Sequence, residues 1–280
     1  MSAPTVSYLA LLRRQPTFRR IWLGDVVSLA GDWFTTISLF AMLLELTGKG
    51  EAVGFVLVAR FLPALFFGPL AGVVADRLDR RAIMVAADVL RAVVVLGFLF
   101  IRTKEDAPLA YALTFVQLSL AAFFDPAEQA AVGSVVTREE IVSANALQGA
   151  TWSAVLSVGA LAGGLFAQWA GRDAAFVLNA ATYLVSAGIV ASARLPRQAK
   201  PPPPASLRAA LGVDDLVEGL RFVTREPGVR RVICAKAGWG LAGGGAILLY
   251  SVYGERVFPL GKGAATGIGV LYTARGLRPR

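Results

Sequence analysis

The sequence predicts an all-α integral membrane protein, and three observations support this fold class. Hydrophobic residues make up 56% of the 280-residue chain, and the mean hydropathy is +0.60, well above an ordinary soluble domain. The apolar residues form long runs, and short charged loops separate them. A helix of about 20 apolar residues is long enough to cross a hydrocarbon core of roughly 30 Å.

Composition also narrows the function classes. The formal net charge of +9 could indicate nucleic-acid binding, but the arginines lie between apolar spans, so we expect a lipid bilayer and no nucleic acid as partner. The chain has no histidine and a single cysteine, Cys234, which excludes histidine catalysis and disulfides and argues against zinc. A glycine-rich nucleotide-binding loop is absent from the sequence. We therefore expect a protein that is not an enzyme and that uses neither a cofactor nor a metal.

Six apolar spans form a predicted N-terminal bundle, residues 1–193. Their bounds are 21–44, 52–75, 82–101, 109–132, 143–170 and 174–193. Span 1 contains Asp25 and Asp32, which are seven residues apart and therefore share one face of the helix. Span 2 contains Arg60, a cation that must face a protein interior or an aqueous path. Because Asp32 and Arg60 lie at similar depths, we predict a buried ion pair, in which Asp32 either takes up a proton when its partner moves away or only neutralises the charge of Arg60.

A short charged loop follows span 2. Its pattern is Gly72-x-x-Ala75-Asp76-Arg77-x-x-Arg80-Arg81. This pattern between two apolar spans resembles the signature loop between helices 2 and 3 of the major facilitator superfamily of secondary transporters. It departs from that signature at Val74 and Asp79, where leucine and glycine are common. The resemblance implies two six-helix bundles, alternating access and a cytoplasmic gating role for the loop; the other interpretation is a topology anchor.

Spans 3 and 4 each carry charges that could support the gate. Asp88 and Arg91 are one turn apart, and we expect an intrahelical pair near the cytoplasmic side. Asp125 and Glu128 lie at the end of span 4, in a segment that resembles exporters of the same superfamily, above all the branch containing the enterobactin exporter. We predict that both carboxylates contact the arginines of the loop after span 2.

Span 5 is rich in small residues. Gly159, Gly163 and Gly164 lie in a segment that is similar to the end of the antiporter motif of drug and proton exchangers, with Ala160 where proline is usual. Glycines at this spacing equally serve close packing of helices, which is the role that we assign to them.

The rest of the chain predicts a linker and the beginning of a second bundle. Residues 194–228 form the predicted cytoplasmic linker, with four prolines at 201–204 and an amphipathic helix over 207–226. Residues 229–280 predict span 7, over 232–253, and part of span 8. The Gly54-x-x-x-x-Ala59-Arg60 pattern recurs near the end as Gly269-x-x-x-x-Ala274-Arg275, as a parallel repeat of two halves requires. We expect a C-terminally truncated product.

Basic residues are concentrated in alternate loops, which predicts a multi-pass protein of the inner membrane with a cytoplasmic N-terminus. Together with the resemblance, this predicts proton-coupled efflux of a small-molecule substrate by a major facilitator type transporter. The alternative is a truncated fragment that transports nothing, or a partial subunit that needs a complementary half.

Overall fold

The chain is all-α in the part that the structure describes. This structure is a computed structural model, and it describes residues 6–196, 206, 213–258, 260 and 264–276. Helices occupy most of these ranges, and no strand occurs in them. The α-helices are α1 (Tyr8–Arg14), α2 (Pro16–Thr47), α3 (Gly50–Arg77), α4 (Arg80–Gly97), α5 (Ala107–Val135), α6 (Ile141–Ala170), α7 (Arg172–Ala191), α8 (Val213–Arg225), α9 (Pro227–Arg256) and α10 (Ala264–Gly276).

The predicted spans correspond to helices α2 to α7, α9 and α10. Five of the described helical segments are long and apolar enough to cross a membrane: Pro16–Thr47, Arg80–Phe100, Lys104–Val135, Ile141–Ala170 and Arg172–Ala191. Helix α3 is 28 residues long but is not among the five; four of its apolar side chains lie outside the described part. The prolines of the linker and Arg275's side chain also lie outside it.

Local signals explain where the helices begin and end. Gly48 and Gly171 have φ of 65° and 88°, a region that favours glycine, and they end α2 and α6. Asp79 caps α4, because its Oδ1 accepts a hydrogen bond from the backbone N–H of Ala82 at 2.9 Å. The departure from the family signature at Asp79 thus supplies a helix cap.

Helices α2 to α7 pack into one bundle. Helix α2 lies against α6 and α7, α3 lies against α5, and α4 lies against α5 and α7. Contacts between α2 and α7 are so close that a Cβ at Gly31 would lie 2.0 Å from Thr182 Oγ1 and 2.2 Å from Asn179 Oδ1. Helix α10 packs on α6 and α9, and Thr273 Oγ1 donates to the carbonyl of Ser157 at 2.7 Å. We call the end of the bundle where α2 begins, with the α3–α4 and α5–α6 loops, the amino end.

Candidate transport cavity

A cavity of about 720 Å³ lies inside the amino end of the bundle. Helices α2, α4, α5 and α6 contribute its walls. Its acidic lining residues are Asp25, Asp32, Asp125 and Glu128, and its cationic one is Arg91. The volume falls in the range of roughly 300–1,000 Å³ in which small-molecule sites occur. Both predicted carboxylates of span 1 therefore line the same cavity, together with both carboxylates of span 4.

At the inner end of this cavity, Asp32 lies in a hydrogen-bond network that joins α2, α5 and α7. The hydroxyl of Tyr183 donates to Asp32 Oδ1. Gln117 Nε2 donates to the same hydroxyl at 2.8 Å and lies 3.4 Å from Asp32 Oδ1. Tyr183 is fully buried and Gln117 is nearly so. The network therefore fixes an acidic group near the midpoint of α2, where an unpaired carboxylate would be costly.

Arg91 lies beside this network as a buried cation. It forms an ion pair with Asp88, one turn earlier on α4, and Ser186 Oγ of α7 donates to the other oxygen of Asp88 at 2.7 Å. The guanidinium carbon lies 4.6 Å from the ring centres of both Phe124 and Tyr183, which is cation–π distance. Arg91 is thus held between α5 and α7. Among the described residues, the bonding partners of Asp88 lie within the bundle and include no residue of the α3–α4 loop.

The predicted ion pair between Asp32 and Arg60 does not form, and this prediction is wrong. Arg60 Nη1 instead approaches Thr36 Oγ1 at 3.5 Å, one helical turn from Asp32 on the same face of α2. Arg60 and Thr36 both line a smaller cavity of about 50 Å³, which lies next to the main cavity and shares Asp32 with it. The physical reason is register: α3 places Arg60 one turn nearer the far end of the bundle, where a hydroxyl and not the carboxylate meets it.

The predicted contacts of Asp125 and Glu128 with the loop arginines are also wrong. Glu128 Oε1 accepts a hydrogen bond from Gln148 Nε2 of α6 at 3.0 Å. Arg80, in contrast, donates to the carbonyl of Ala130 at 2.9 Å. Asp125 and Glu128 line the cavity, whereas Arg80 bonds to the main chain of the same helix.

The signature segment, residues 72–81, includes the end of α3, the α3–α4 loop and the start of α4, and it is bonded to three helices. Arg80 Nε also donates to the carbonyl of Ala75 at 3.3 Å, and its Nη2 lies 3.9 Å from Asp76 Oδ1. Arg81 Nη1 donates to the carbonyl of Ala193, just beyond α7, at 3.4 Å. Two other members of the signature, Gly72 and Arg77, lie on the last turns of α3, and a Cβ at Gly72 would meet nothing within 4 Å. The loop therefore joins α3, α5 and α7 at the amino end.

Two of the span 5 glycines lie where α6 crosses α2. A Cβ at Gly163 would lie 3.0 Å from Phe34 Cα and 3.2 Å from the carbonyl oxygen of Trp33. A Cβ at Gly159 would lie 3.3 Å from Trp33 Cβ, and Gly164 is buried beside them. Close approach of backbones is what small residues permit at helix contacts in membranes.

Sequence reasoning missed Tyr183 and Ser186, which complete the network from α7. A usable signal was present, since Asn179, Tyr183 and Ser186 follow one another at spacings of four and three residues in an apolar span. These spacings place all three side chains on one face of α7. Asn179 Nδ2 donates to Thr35 Oγ1 of α2 at 2.8 Å, so this face packs on α2 through polar contacts.

Residues 6–277 match the profile of the transmembrane secretion effector family. The chain belongs to this family of the major facilitator superfamily. It is a multi-pass membrane protein. The profile match spans nearly the whole sequence, in agreement with the loop signature and the all-α bundle of apolar helices.

Curated relatives are transporters by name. The putative bacilysin exporter of Bacillus subtilis (strain 168) is 32% identical over 181 residues, which are 65% of this chain and 45% of that protein. Macrolide efflux protein A of Streptococcus pyogenes is 26% identical over 186 residues, 64% of this chain and 45% of that protein. The lysophospholipid transporter of Serratia proteamaculans (strain 568) is 29% identical over 164 residues, 59% and 38% respectively. The chain spans about half the length of the curated relatives that it matches.

Proposed function

We propose that this chain acts in the efflux of a small molecule across the inner membrane, as a secondary active transporter driven by the proton gradient. The observation that carries the proposal is the cavity of about 720 Å³, with carboxylates on its wall inside a bundle of membrane-length helices. Polar and charged groups inside membrane bundles mark substrate and ion pathways. Relatives whose names state export and efflux support the direction of transport.

In this proposal Asp32 is the main coupling residue, with Asp25 and Arg60 along the same path. A carboxylate that accepts hydrogen bonds from Tyr183 and Gln117 can exchange those donors for a proton when the helices move. Tyr183 and Gln117 are thus the partners of Asp32 in this proposal, in place of Arg60, which the sequence predicted as its partner. Asp25 lies two turns nearer the amino end of α2, where it can pass protons to and from solvent.

The α3–α4 loop is the proposed gate on the cytoplasmic side. Gly72, Asp76, Arg77, Arg80 and Arg81 form its signature. Arg80 donates a hydrogen bond to the carbonyl of Ala130, and Arg81 donates one to the carbonyl of Ala193. These hydrogen bonds connect helices that must move relative to one another when the cavity opens or closes. Such bonds between side chains and helix ends can break and reform at low cost during rigid-body movement. These hydrogen bonds support a gate that stabilises one conformation of the transporter.

The test is transport by cells that lack their own major exporters. Cells expressing the chain are grown with a panel of toxic compounds that includes a macrolide, and accumulation of a responding compound is then measured with and without a proton uncoupler. We expect lower accumulation with the chain, a return to the control level with the uncoupler, and loss of export in Asp32→Asn at unchanged protein amount in the membrane. Export that persists in Asp32→Asn or in the presence of the uncoupler would exclude the proposed coupling.

Asp173→Asn is the matched control for this substitution. Asp173 lies exposed at the far end of the bundle, where it pairs with Arg102 at 2.7 Å. Exposed pairs of this kind contribute about 0–1 kcal/mol to stability. We expect export by Asp173→Asn to equal that of the unchanged chain.

A further inference from the structure

We propose that α1 and the residues packed around it form a docking surface for the headgroups of anionic phospholipids. This inference goes beyond the proposed function and does not depend on it. The surface consists of exposed side chains from α1, from the start of α2 and from the segment after α7. We call it the α1 surface, and its residues are Tyr8, Leu9, Arg13, Arg14, Arg19 and Arg194. It combines two apolar side chains with four cations.

The first observation is that α1 lies on the bundle at the depth of the lipid headgroups. Leu11 is fully buried in an apolar cluster that includes Ile21 of α2. Gln15 Nε2 donates to Glu140 Oε2 at 2.8 Å, at the start of α6. The first apolar span begins at Ile21, and Arg19 precedes it by two residues, or about 3 Å along the helix. Because the hydrocarbon core ends where the apolar span begins, Arg19 and α1 lie at headgroup level.

The second observation is the exposure of two apolar side chains on α1. Tyr8 and Leu9 are 45% and 69% exposed, although Leu11 of the same helix is fully buried. Helix α1 therefore packs one side on the bundle and presents apolar side chains on another. Surface helices with apolar side chains and arginines lie in the plane of the membrane interface, and tyrosine is enriched at that depth. Lipid is thus a better cover for Tyr8 and Leu9 than water.

The third observation is a difference in charge pairing between the two ends of the bundle. At the end opposite the amino end, Arg102 lies 2.7 Å from Asp173, and Arg172 lies 3.9 Å from Glu45. At the amino end, none of the four arginines of the α1 surface lies within 4.0 Å of a carboxylate of the described residues. Cations without protein counter-ions at the membrane surface attract anionic lipids, and each of them adds to the attraction.

Hydrogen bonds at the end of α7 bring Arg194 to this surface. Thr17 Oγ1 donates to the carbonyl of Arg194 at 3.4 Å, and Arg20 Nη1 donates to the carbonyl of Ser192 at 3.2 Å. The main chain of Arg194 therefore lies beside the first turns of α2, which also carry Arg19. Guanidinium groups bind phosphate oxygens through two parallel N–H bonds. The phosphate of a lipid with net negative charge, such as phosphatidylglycerol, therefore suits several arginines at headgroup depth.

Quenching by spin-labelled lipids tests this inference. Leu9→Cys in a Cys234→Ser background carries a fluorescent nitrobenzoxadiazole label, because Leu9 is exposed and the exposed Cys234 would also react. The labelled chain is reconstituted into phosphatidylcholine vesicles that contain a small fraction of nitroxide-labelled phosphatidylglycerol or, in parallel, of equally labelled phosphatidylcholine. Both leaflets have the same composition, so the orientation of the chain does not affect the result.

We expect phosphatidylglycerol to associate with the label site at least about fivefold more strongly than phosphatidylcholine, since one arginine near an anionic surface contributes about this factor. High salt should reduce this preference, because it screens exposed charges. The triple variant Arg13→Gln, Arg14→Gln and Arg19→Gln should be quenched equally by the two lipids.

The matched control removes the same charge at the opposite end of the bundle. It is the triple variant Lys49→Gln, Arg102→Gln and Lys104→Gln, whose three native side chains are all exposed. This control should retain the preference of the unchanged chain for phosphatidylglycerol. Loss of the preference in the control would mean that net charge, and not the α1 surface, attracts the lipid, and would overturn the inference.

Equal quenching by both lipids in the unchanged chain would also overturn the inference, as would an undiminished preference in an α1-surface variant that elutes and melts like the unchanged chain. Weak quenching by both lipids, with self-quenching that grows with the protein-to-lipid ratio, would show that a second copy of the chain covers this surface in place of lipid. If the α1-surface variant does not fold, Arg194→Gln alone replaces it. We then expect a reduced preference, and an unchanged preference would overturn the inference.

Discussion

At the scale of single residues, the hydroxyl of Tyr183 is the centre of the network. It accepts from Gln117 on α5 and donates to Asp32 on α2, so one group on α7 connects two other helices. Its ring also covers the guanidinium of Arg91. The hydroxyl can be removed without removing the ring, which separates the hydrogen bonds from the packing.

We expect Tyr183→Phe to destabilise the bundle by about 1–3 kcal/mol, because a buried amide donor and a buried carboxylate each lose a partner. The cation–π contact with Arg91 should remain, since phenylalanine keeps the ring. Thermal unfolding of the purified chain in detergent measures the loss. In the transport assay, export should fall further than the amount of protein in the membrane, because Asp32 loses its donor.

Tyr111→Phe is the control for this substitution. The Tyr111 ring packs beside Phe55, with 5.9 Å between ring centres, and its hydroxyl forms no hydrogen bond among the described residues. Its melting temperature should match that of the unchanged chain. Equal melting temperatures for Tyr183→Phe and Tyr111→Phe would show that the network contributes no stability.

The sequence predicted part of the cavity lining but not how its residues pair. Asp25 and Asp32 were identifiable as candidate coupling residues because charged groups in apolar spans are rare and costly, whereas Asp125 and Glu128 were assigned to the gate and instead line the cavity. Which group faces which depends on the axial register of neighbouring helices. A shift of one turn, about 5.4 Å, separates an Asp32–Arg60 pair from the observed contact of Arg60 with Thr36, and hydropathy does not determine such a shift.

At the scale of helices, glycines determine how closely α6 approaches α2. Gly163 lies opposite the backbone of Trp33 and Phe34, which cannot rotate away as a side chain can. The positions of the helices themselves were predictable, because long apolar runs and short loops leave few other arrangements. The surfaces through which the helices contact one another were only partly predictable, because glycines occur at lipid-facing positions as well as at packed ones.

We expect Gly163→Val to destabilise the bundle by about 1–3 kcal/mol or more, since its side chain must displace the backbone of α2. Gly149→Val is the matched control on the same helix, because Gly149 is exposed and a Cβ there would meet nothing within 4 Å. The measurement is the melting temperature in detergent, supported by the elution profile. A Gly163→Val chain that melts at the same temperature as Gly149→Val would contradict close packing at this contact.

At the scale of the whole molecule, the distribution of basic residues defines two different ends. The amino end includes the arginines of α1, of the start of α2 and of the α3–α4 loop, whereas the opposite end has few cations. On the positive-inside rule, we propose that this basic end faces the cytoplasm. The main cavity lies in this half of the bundle, because its lining residues come from α2 up to its midpoint, the first half of α6 and the last half of α5. A cytoplasmic amino end would let the cavity take up substrates from inside the cell, as export requires.

This orientation can be tested with single cysteines in a Cys234→Ser background, since the native Cys234 is exposed. Leu78→Cys lies on the α3–α4 loop at the amino end, and Lys104→Cys lies at the opposite end, where the Lys104 side chain is 72% exposed. A membrane-impermeant maleimide should label Lys104→Cys in spheroplasts, and it should label Leu78→Cys only after the membrane is opened. The reverse labelling pattern would place the amino end, and with it the main cavity, on the outer side of the membrane. This result would exclude uptake of substrate from the cytoplasm in this conformation.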